Sequence, residues 1–374
     1  MIGTITIVGA AGFVGRRLVE SLVLDDRTDV RAVVRAHRSL AGLARLGPAV
    51  SVWLADAEDR ASLVPALQGS SVVVNLTNGP PAGIMPSTRS ILEACVAADV
   101  PRLIHISSAV VYDEVLSPTL DDDSPPLTQH WMPYAKAKAS AEIWLREQLA
   151  VVPCQIAVLR PGFVWGVRSP HTMSVINSLL EKRAYLIRDG QGVFNSIYID
   201  NLVACIRTCI DHPDDVRGFY NVADREFVTW RDFYSALAEP LGYDMSQMPS
   251  VSGDRFPWSV RAALEYVQLL PVMNDLYYWL RGRLPDRVKS RMKKLLLGRY
   301  EYGREVTSYV TQPTVDREVW HLQKVVHKLP TTKFAGKFGF TPPLTFEEGI
   351  RRTVHWLAFL GSVPSPTTVL TQHE

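Results

Sequence analysis

A glycine-rich turn, Gly9-Ala10-Ala11-Gly12-Phe13-Val14-Gly15, follows directly on the short apolar run Thr4–Val8 and opens a stretch of helical periodicity over Gly12–Leu24. Glycine at 9 permits a tight turn out of a strand. Glycine at 12 lets backbone approach a pyrophosphate, and glycine at 15 lets a helix pack closely on the sheet. A helix starting here aims its free N–H groups and the positive end of its dipole at the turn, which suits phosphate. A glycine heptad alone is a weak signal. A strand before it and an amphipathic helix after it make it a dinucleotide-binding turn.

The same alternation continues. Runs rich in β-branched residues at Val30–Val34, Val50–Leu54, Val72–Leu76 and Leu103–Ser107 alternate with helix-like stretches at Ala61–Leu67, Ser87–Ala98 and Ala135–Leu149, and Gln155–Leu159 adds a strand. Strands separated by helices imply a parallel sheet covered on both faces, and right-handed crossovers then give an α/β, doubly wound Rossmann sheet. The second half is less regular, with helices at Thr172–Lys182, Asp200–Ile210, Thr229–Leu241 and Thr345–Leu360 and short strands at Ser196–Ile199 and Phe219–Val222. Thr229 suits a helix N-cap. The expected division is a Rossmann domain over 1–165, with segments of about 196–222 returning to it. A smaller, mostly helical C-terminal substrate lobe spans 166–360, includes a helical insert at 251–335, and leaves a flexible tail at 361–374.

A chain of 374 residues that is 47% hydrophobic buries a large core and suits two lobes. A net charge of +2 gives no global field for nucleic acid. No apolar stretch reaches the roughly 18 residues that span a bilayer, and the first apolar run lacks the basic flank of a signal peptide. Cys95, Cys154, Cys205 and Cys209 form no CxxC pair. Cys205 and Cys209, four apart in an apolar run, read as core, so a reducing cytoplasmic setting is expected. His321 and His327 lack metal-ligand spacing, so no metal is expected. His105, inside a strand, reads as a core histidine.

Three further features carry chemistry. The second strand ends Val33-Val34-Arg35-Ala36-His37-Arg38, with no acid for a ribose 2′-hydroxyl. Arg35 and Arg38 suit a 2′-phosphate, which favours NADP over NAD. Asp56-Ala57, after the third strand, can touch an adenine or form an ordinary turn. Tyr134 and Lys138 sit at i,i+4 spacing on one helix face. A free tyrosine has a pKa of about 10, and a nearby ammonium and an oxidised nicotinamide are both expected to favour its phenolate. Tyr134 then exchanges a proton with a substrate hydroxyl. Ser108, just past the strand Leu103–Ser107, is expected to hold the substrate oxygen, with Ser107 the near alternative. His130 and Trp131 line the substrate cleft or serve only the loop before Tyr134.

Together these residues resemble the extended short-chain dehydrogenase/reductases, the class of the NAD-dependent epimerases and dehydratases. Gly9, Gly12 and Gly15 match its glycine pattern, Ser108-Ala-Val-Val-Tyr112 its serine segment, and Asp121–Pro126 its acidic, proline-bearing loop. Arg160-Pro161-Gly162-Phe163-Val164-Trp165-Gly166 is similar to the segment beside the nicotinamide. Tyr198-Ile199-Asp200-Asn201 and Phe338-Gly339-Phe340-Thr-Pro342 are similar to later family elements. The resemblance covers about residues 1–245 and 330–360. It implies a Ser108, Tyr134, Lys138 triad, with Lys138 also holding the nicotinamide ribose. Taken with the residue reading, the expected cofactor contacts are Gly9, Gly12, Phe13, Val14, Gly15, Arg35, Arg38, Asp56, Ala57, Tyr134, Lys138, Pro161, Gly162 and Val164. It also implies a homodimer, a small-molecule substrate and, by default, a nucleotide-activated sugar.

Three departures bear on that default. Arg35 stands where NAD-retaining epimerases carry an acid. Gly162 stands where many nucleotide-sugar enzymes carry an asparagine. Ala109 and Val110 stand where dehydratases carry an acid pair, which argues against sugar dehydration. The expected activity is hydride exchange at a secondary alcohol or ketone. The leading reading is a nucleotide-sugar oxidoreductase or epimerase. Its alternative is an NADPH-dependent ketoreductase of a hydrophobic or carrier-tethered ketone, sterol-like or from secondary metabolism. A non-enzymatic dinucleotide sensor comes last, because such proteins often lose the Tyr/Lys pair. In the insert, the apolar half Trp258–Leu280 precedes Arg281–Arg299, which holds eight Lys/Arg and one acid, Asp286. It suits a helical cap over the substrate cleft, a membrane-surface element, or a dock for an acidic carrier protein.

Overall fold

A computed structural model describes residues 3–27, 29–112, 119–253, 256–257 and 308–361. The expected membrane or carrier contact through 258–299 and the tail beyond 361 lie outside the described residues. The first half runs β1 (Thr4–Val8), α1 (Phe13–Leu24), β2 (Val30–Val34), β3 (Val50–Leu54), α2 (Arg60–Leu67), β4 (Ser70–Asn75), α3 (Pro81–Ala97), β5 (Arg102–Ile106), α4 (Pro133–Gln148) and β6 (Gln155–Pro161). The second runs β7 (Phe163–Trp165), α5 (Pro170–Leu180), β8 (Leu186–Ile187), β9 (Ser196–Tyr198), α6 (Ile199–Asp211), β10 (Gly218–Val222) and α7 (Trp230–Ala238). Then come β11 (Ser250–Val251), α8 (Arg317–Leu322), α9 (Thr332–Phe338) and α10 (Phe346–Phe359).

Seven strands form one sheet in the order β10-β6-β5-β4-β1-β2-β3. Every neighbouring pair is parallel. This is the doubly wound sheet expected from the alternation. The order reverses direction between β1 and β4, and such a switch point opens a ligand crevice at the carboxyl ends of the strands. The runs are β-branched on both faces because both are covered. One apolar cluster joins Ile5, Ile7, Val72 and Val74 to α1 and α6, and another joins Val73, Leu103 and Ile156 to α2, α3 and α4. Phe334, Phe338 and Phe340 pack against the first cluster. Residues 332–340 thus lie against the sheet, beside Tyr220, whose ring is 5.8 Å from that of Phe334.

Local sequence explains where the elements differ from their pattern. No helix links β2 to β3; two 3-10 stretches, His37–Gly42 and Ala44–Ala49, take its place. Gly47 at φ +53 and Pro48 prevent an α-helix there. α3 begins at Pro81, six residues before the apolar periodicity suggests. Pro81 occupies a first-turn position, where its missing N–H is no loss, and the carbonyl that Pro86 deprives belongs to exposed Ala82. Thr229 caps α7 in a reciprocal capping box with Asp232.

The second lobe has its own core of Trp165, Phe194, Trp230 and Phe233, in which the Phe194 and Phe233 rings stack at 4.2 Å. Its hinge to the sheet is polar. Asp224 accepts hydrogen bonds from Trp165 Nε1 at 3.1 Å, Asn201 Nδ2 at 2.7 Å and Tyr198 N at 2.9 Å.

Candidate active site

The glycine turn lies at the carboxyl end of β1. Gly9 has φ +88, and a Cβ there would lie 2.8 Å from the Leu76 carbonyl group. Gly12 heads α1 with no side-chain cap, so the first-turn N–H groups stay available to an anion. A Cβ on Gly15 would lie 2.3 Å from the Gly9 carbonyl oxygen and 2.8 Å from Ala10 Cα. The third glycine therefore makes room for the turn's own backbone. The three positions form a cradle that side chains would fill, and its chemistry fits the diphosphate of a dinucleotide.

The residues expected around the adenosine half divide. Arg35 is exposed just past β2, with no ion-pair partner among the described residues. The Arg38 backbone lies in the first 3-10 stretch. Asp56 is tied into the start of α2: its carboxylate accepts from Glu58 N at 3.1 Å, and its carbonyl from Ser62 Oγ at 3.3 Å. Ala57 packs against the core beside it.

Tyr134 and Lys138 lie on one face of α4, with Lys138 Nζ 5.9 Å from the Tyr134 ring centre. Lys138 is 3% exposed and donates to the Ile106 carbonyl at 2.9 Å, on the end of β5. Ser108 caps the short turn after β5, its Oγ accepting from Val110 N at 3.3 Å. Ser107 Oγ is buried with no partner among the described residues. Helix and strand end thus bring the tyrosine, the lysine and two serines to one side of the crevice.

The electrostatics correct one expectation. Burial pushes the Tyr134 phenol up to about 12, and the charge of Glu318 adds to the rise. Burial pulls Lys138 down to about 8, against the opposing charge of Glu142. The ammonium faces Ile106 and Glu142 and does not offset the burial of Tyr134. In the protein alone Tyr134 is a phenol, not a phenolate. His105 is pulled down to about 3 by burial and then by Lys138, so it is neutral. Asn75 Oδ1 accepts from Thr77 N and Thr77 Oγ1, which leaves Asn75 Nδ2 to donate to His105 Nδ1 at 3.0 Å. The neutral ring therefore carries its hydrogen on Nε2.

A buried ionic cluster behind Lys138 escapes the motif reading. Arg160 and Glu142 are both wholly buried and paired, with Nε to Oε2 at 2.8 Å and Nη2 to Oε2 at 2.6 Å. Arg160 Nη1 also donates to Tyr112 Oη and, at 2.8 Å, to the Asp122 carbonyl. Tyr112 Oη donates to Asn221 Oδ1 at 3.1 Å, and Asn221 N donates to the Asp122 carboxylate at 2.5 Å. The serine segment, the acidic loop and the Arg160 segment are thus one structure bracing α4. Its trace in the sequence is a pair of opposite charges at buried positions: Glu142 four residues after Lys138, and Arg160 in an apolar strand.

Gly162 has a steric reason. A Cβ there would lie 2.3 Å from the Asn195 carbonyl oxygen, so no asparagine fits. The Asn195 side chain turns away instead, donating to His327 O at 2.9 Å and accepting from Leu329 N at 2.7 Å. Pro161 ends β6, and Val164 pairs with Ile197 across β7 and β9.

Residues 316–329 form a strap from the second lobe to the crevice. Asp316 caps α8, Trp320 is 1% exposed, and Gln323 Oε1 accepts from Ile187 N at 2.8 Å. Val325 and Leu329 pack on Val111, Tyr112 and Ala139. The outer face of α8 meets Trp131: Arg317 lies 4.3 Å over its ring and the His321 ring is 5.2 Å away. Sequence patterning does not place this strap at the site, because its anchors are scattered along the chain.

Comparison with known proteins agrees with this geometry. Residues 9–164 match an NAD(P)H-binding family. Over 98% of its length the chain is 24% identical to the 3beta-hydroxysteroid-dehydrogenase/decarboxylase isoform 1 of Arabidopsis thaliana, covering 82% of that protein. Over 93% it is 23% identical to the mouse sterol-4-alpha-carboxylate 3-dehydrogenase, decarboxylating, covering 89%. In fold it is similar to a dTDP-glucose 4,6-dehydratase from Bacillus anthracis solved with NAD, with TM-score 0.67, 16% identity, and 96% and 97% of the two chains covered. No helix among the described residues is long and apolar enough to cross a membrane. The glycine cradle, the seven-stranded parallel sheet and these relatives support the resemblance to the extended short-chain dehydrogenase/reductases, with an NAD(P)H-binding segment and homologues that are dehydrogenases.

Proposed function

We propose that the protein interconverts a secondary alcohol and a ketone on a hydrophobic, ring-bearing substrate, with Tyr134 as the proton-transfer group. The observation that carries this reading is the Tyr134–Lys138 face of α4, set beside Ser107 and Ser108 at the carboxyl edge of the sheet. The dinucleotide, when bound, supplies the two-electron exchange at the carbinol carbon. Tyr134 gives its phenolic proton to a ketone oxygen, or takes the hydroxyl proton in the reverse direction. A phenol held neutral by burial carries the proton that the reduction direction consumes. Ser108 Oγ, or the buried Oγ of Ser107, which has no partner among the described residues, steadies the substrate oxygen. Lys138 keeps a positive charge behind the tyrosine and reaches for the ribose. The Gly9, Gly12 and Gly15 cradle takes the diphosphate, and Arg35 takes a 2′-phosphate, so NADP is preferred to NAD.

Two things support the hydrophobic substrate. The curated relatives that span nearly the whole chain are named for hydroxysteroids and sterols. Gly162 offers the cleft no amide, and Phe163 beside it and Trp131 before Tyr134 are both half-buried. A nucleotide sugar is the second reading, favoured by the likeness in fold to the dTDP-glucose enzyme.

The test is turnover of a 3-ketosteroid with NADPH. The expected result is stoichiometric loss of NADPH, with NADH slower, and Arg35→Ser narrowing that preference about tenfold. Interconversion of a UDP- or dTDP-hexose without net cofactor consumption would overturn the substrate class and establish the second reading.

A further inference from the structure

We infer that His105, in β5, is a positioning residue for the dinucleotide: as a hydrogen-bond acceptor for Asn75, it fixes the end of β4 as the floor of the glycine cradle. This rests on the reading of Gly9, Gly12 and Gly15 as the diphosphate site, and it adds a support that lies outside the glycine turn. By its place His105 is a core histidine, buried with Asn75 inside the sheet. Its hydrogen bonds give it a second role.

The floor is the backbone that follows β4. A Cβ on Gly9 would lie 2.8 Å from the Leu76 carbonyl oxygen and 3.0 Å from Thr77 N, so the turn rests directly on residues 76 and 77. Leu76 N donates to Val8 O at 2.9 Å, which ties residue 76 to β1. Residue 77 is held by Asn75: the Thr77 N–H and the Thr77 hydroxyl both donate to Asn75 Oδ1, at 3.0 Å and 2.7 Å. A backbone N–H can only donate, so the atom facing it is the amide oxygen, and the amide nitrogen faces His105 Nδ1 at 3.0 Å. Asn75 and His105 stand directly opposite each other across the parallel pair of β4 and β5. Every proton in this chain has one place. Thr77 donates to Asn75, Asn75 donates to His105, and His105 Nδ1 accepts.

Only the neutral ring with its hydrogen on Nε2 completes the chain. Burial, and then the Lys138 ammonium, pull His105 down to about 3, so the ring stays neutral. That ammonium is fixed on the carbonyl of the next residue, Ile106, at 2.9 Å. The arrangement leaves His105 Nε2 buried with no partner among the described residues. An apolar residue of the same shape would pack without that unpaired donor, which destabilises the fold. The acceptor on Nδ1 is what an apolar residue cannot supply. Without it the Asn75 amide nitrogen is left buried and unpaired, the amide turns toward another acceptor, and the Thr77 N–H loses the oxygen that holds it. The end of β4 then loosens under Gly9, and the cradle loosens with it.

The test sets NADP affinity against stability in the full chain. His105→Phe keeps an aromatic ring and removes the acceptor. His105→Asn keeps an acceptor oxygen at the position of Nδ1 and leaves the rest of the site unfilled. Fluorescence titration should give an NADP dissociation constant raised about tenfold in His105→Phe and within about threefold of wild type in His105→Asn. Urea midpoints should run the other way, with His105→Asn the less stable of the two. An affinity that follows stability, or one that is unmoved in His105→Phe, overturns the inference. Nitrogen NMR of wild type gives a readout free of both cofactor and substitution. The ring signals that His105→Asn removes should show the hydrogen on Nε2 and an unprotonated Nδ1, and the opposite tautomer also overturns the inference. Wild type that binds neither NADP nor NAD would sink the cradle reading and this inference with it, whereas binding that His105→Phe leaves unchanged sinks this inference alone.

Discussion

The cofactor side and the substrate side of the crevice are built in opposite ways. The cofactor side is contiguous: seven residues from Gly9 to Gly15 make the cradle, and the groups that force each glycine lie in that turn or on the adjoining strand end. The substrate side is assembled from distant pieces. Trp131 meets α8 nearly 200 residues later, and Asn195 holds the strap at residues 327 and 329. A contiguous site tolerates change beyond its turn and the strand ends that floor it, but not within them. An assembled one can be retuned at any anchor without touching the cofactor. That difference explains how one fold serves different substrates with one cofactor.

The sharpest way to break this comparison is at the junction of the two sides. Tyr134→Phe removes the proton and nothing else of size. We expect kcat to fall about a thousandfold while the affinity for NADP stays within about twofold. Fluorescence titration of the cofactor alongside single-turnover rates checks both. A parallel loss of cofactor affinity would mean that the two sides are not separable at α4.

The brace behind α4 comes next. Arg160→Met leaves Glu142 buried without its partner, and breaking such a pair costs about 3–5 kcal/mol. Because Tyr112, Asp122 and Asn221 share the cluster, the loss should appear as global stability, read from the urea midpoint. The double variant Arg160→Met with Glu142→Leu should recover most of it. If the double variant is no more stable than the single one, packing matters there and charge does not.

On the cofactor side, Gly15→Ala tests whether the turn is as inflexible as its geometry says. The new methyl would meet the Gly9 carbonyl at 2.3 Å, so the turn must shift. Overpacking of this kind costs about 1–3 kcal/mol, which predicts a rise of up to about a hundredfold in the NADP dissociation constant. Isothermal titration would read it. No change would show that the cradle has slack, and the contrast between the two sides would weaken.

The same contrast governs what can be read from the sequence. The order of β1 to β6, the cradle and the Tyr134/Lys138 spacing are legible because each is set by local period or by neighbours along the chain. β7 and β9 are not. They are three residues each, and their pairing depends on Gly162 passing under the Asn195 carbonyl. The Arg160–Glu142 pair is visible only as charges in apolar positions, because its cluster is drawn from five segments. The effect of Lys138 on Tyr134 in the protein alone is not legible from sequence for the same reason. Spacing puts a lysine near it, but tertiary burial decides which way the phenol shifts.

The smallest predicted effect concerns the lysine itself. Burial takes Lys138 from 10.5 down to about 8 in the folded protein. Between those values the unfolded chain holds a proton that the folded chain has released, so stability rises with pH across that window. Below about 8 both states are protonated, and the penalty for burying the charge is constant. For one such group the slope approaches about 1.4 kcal/mol per pH unit. Tyr134 pulls the other way, but only above about 10, where the unfolded chain loses the phenolic proton first. Urea midpoints at pH 7.5, 8.5 and 9.5 should therefore rise relative to those of Lys138→Met, in which this contribution is gone. The same series with saturating NADP sharpens the comparison. If Lys138 reaches the ribose, the bound cofactor gives the ammonium a partner, its pKa moves up, and the rise shifts to higher pH. A rise that keeps its place with cofactor bound would put Lys138 on the structural side of the crevice, as a residue that fixes the end of β5 and does not touch the dinucleotide.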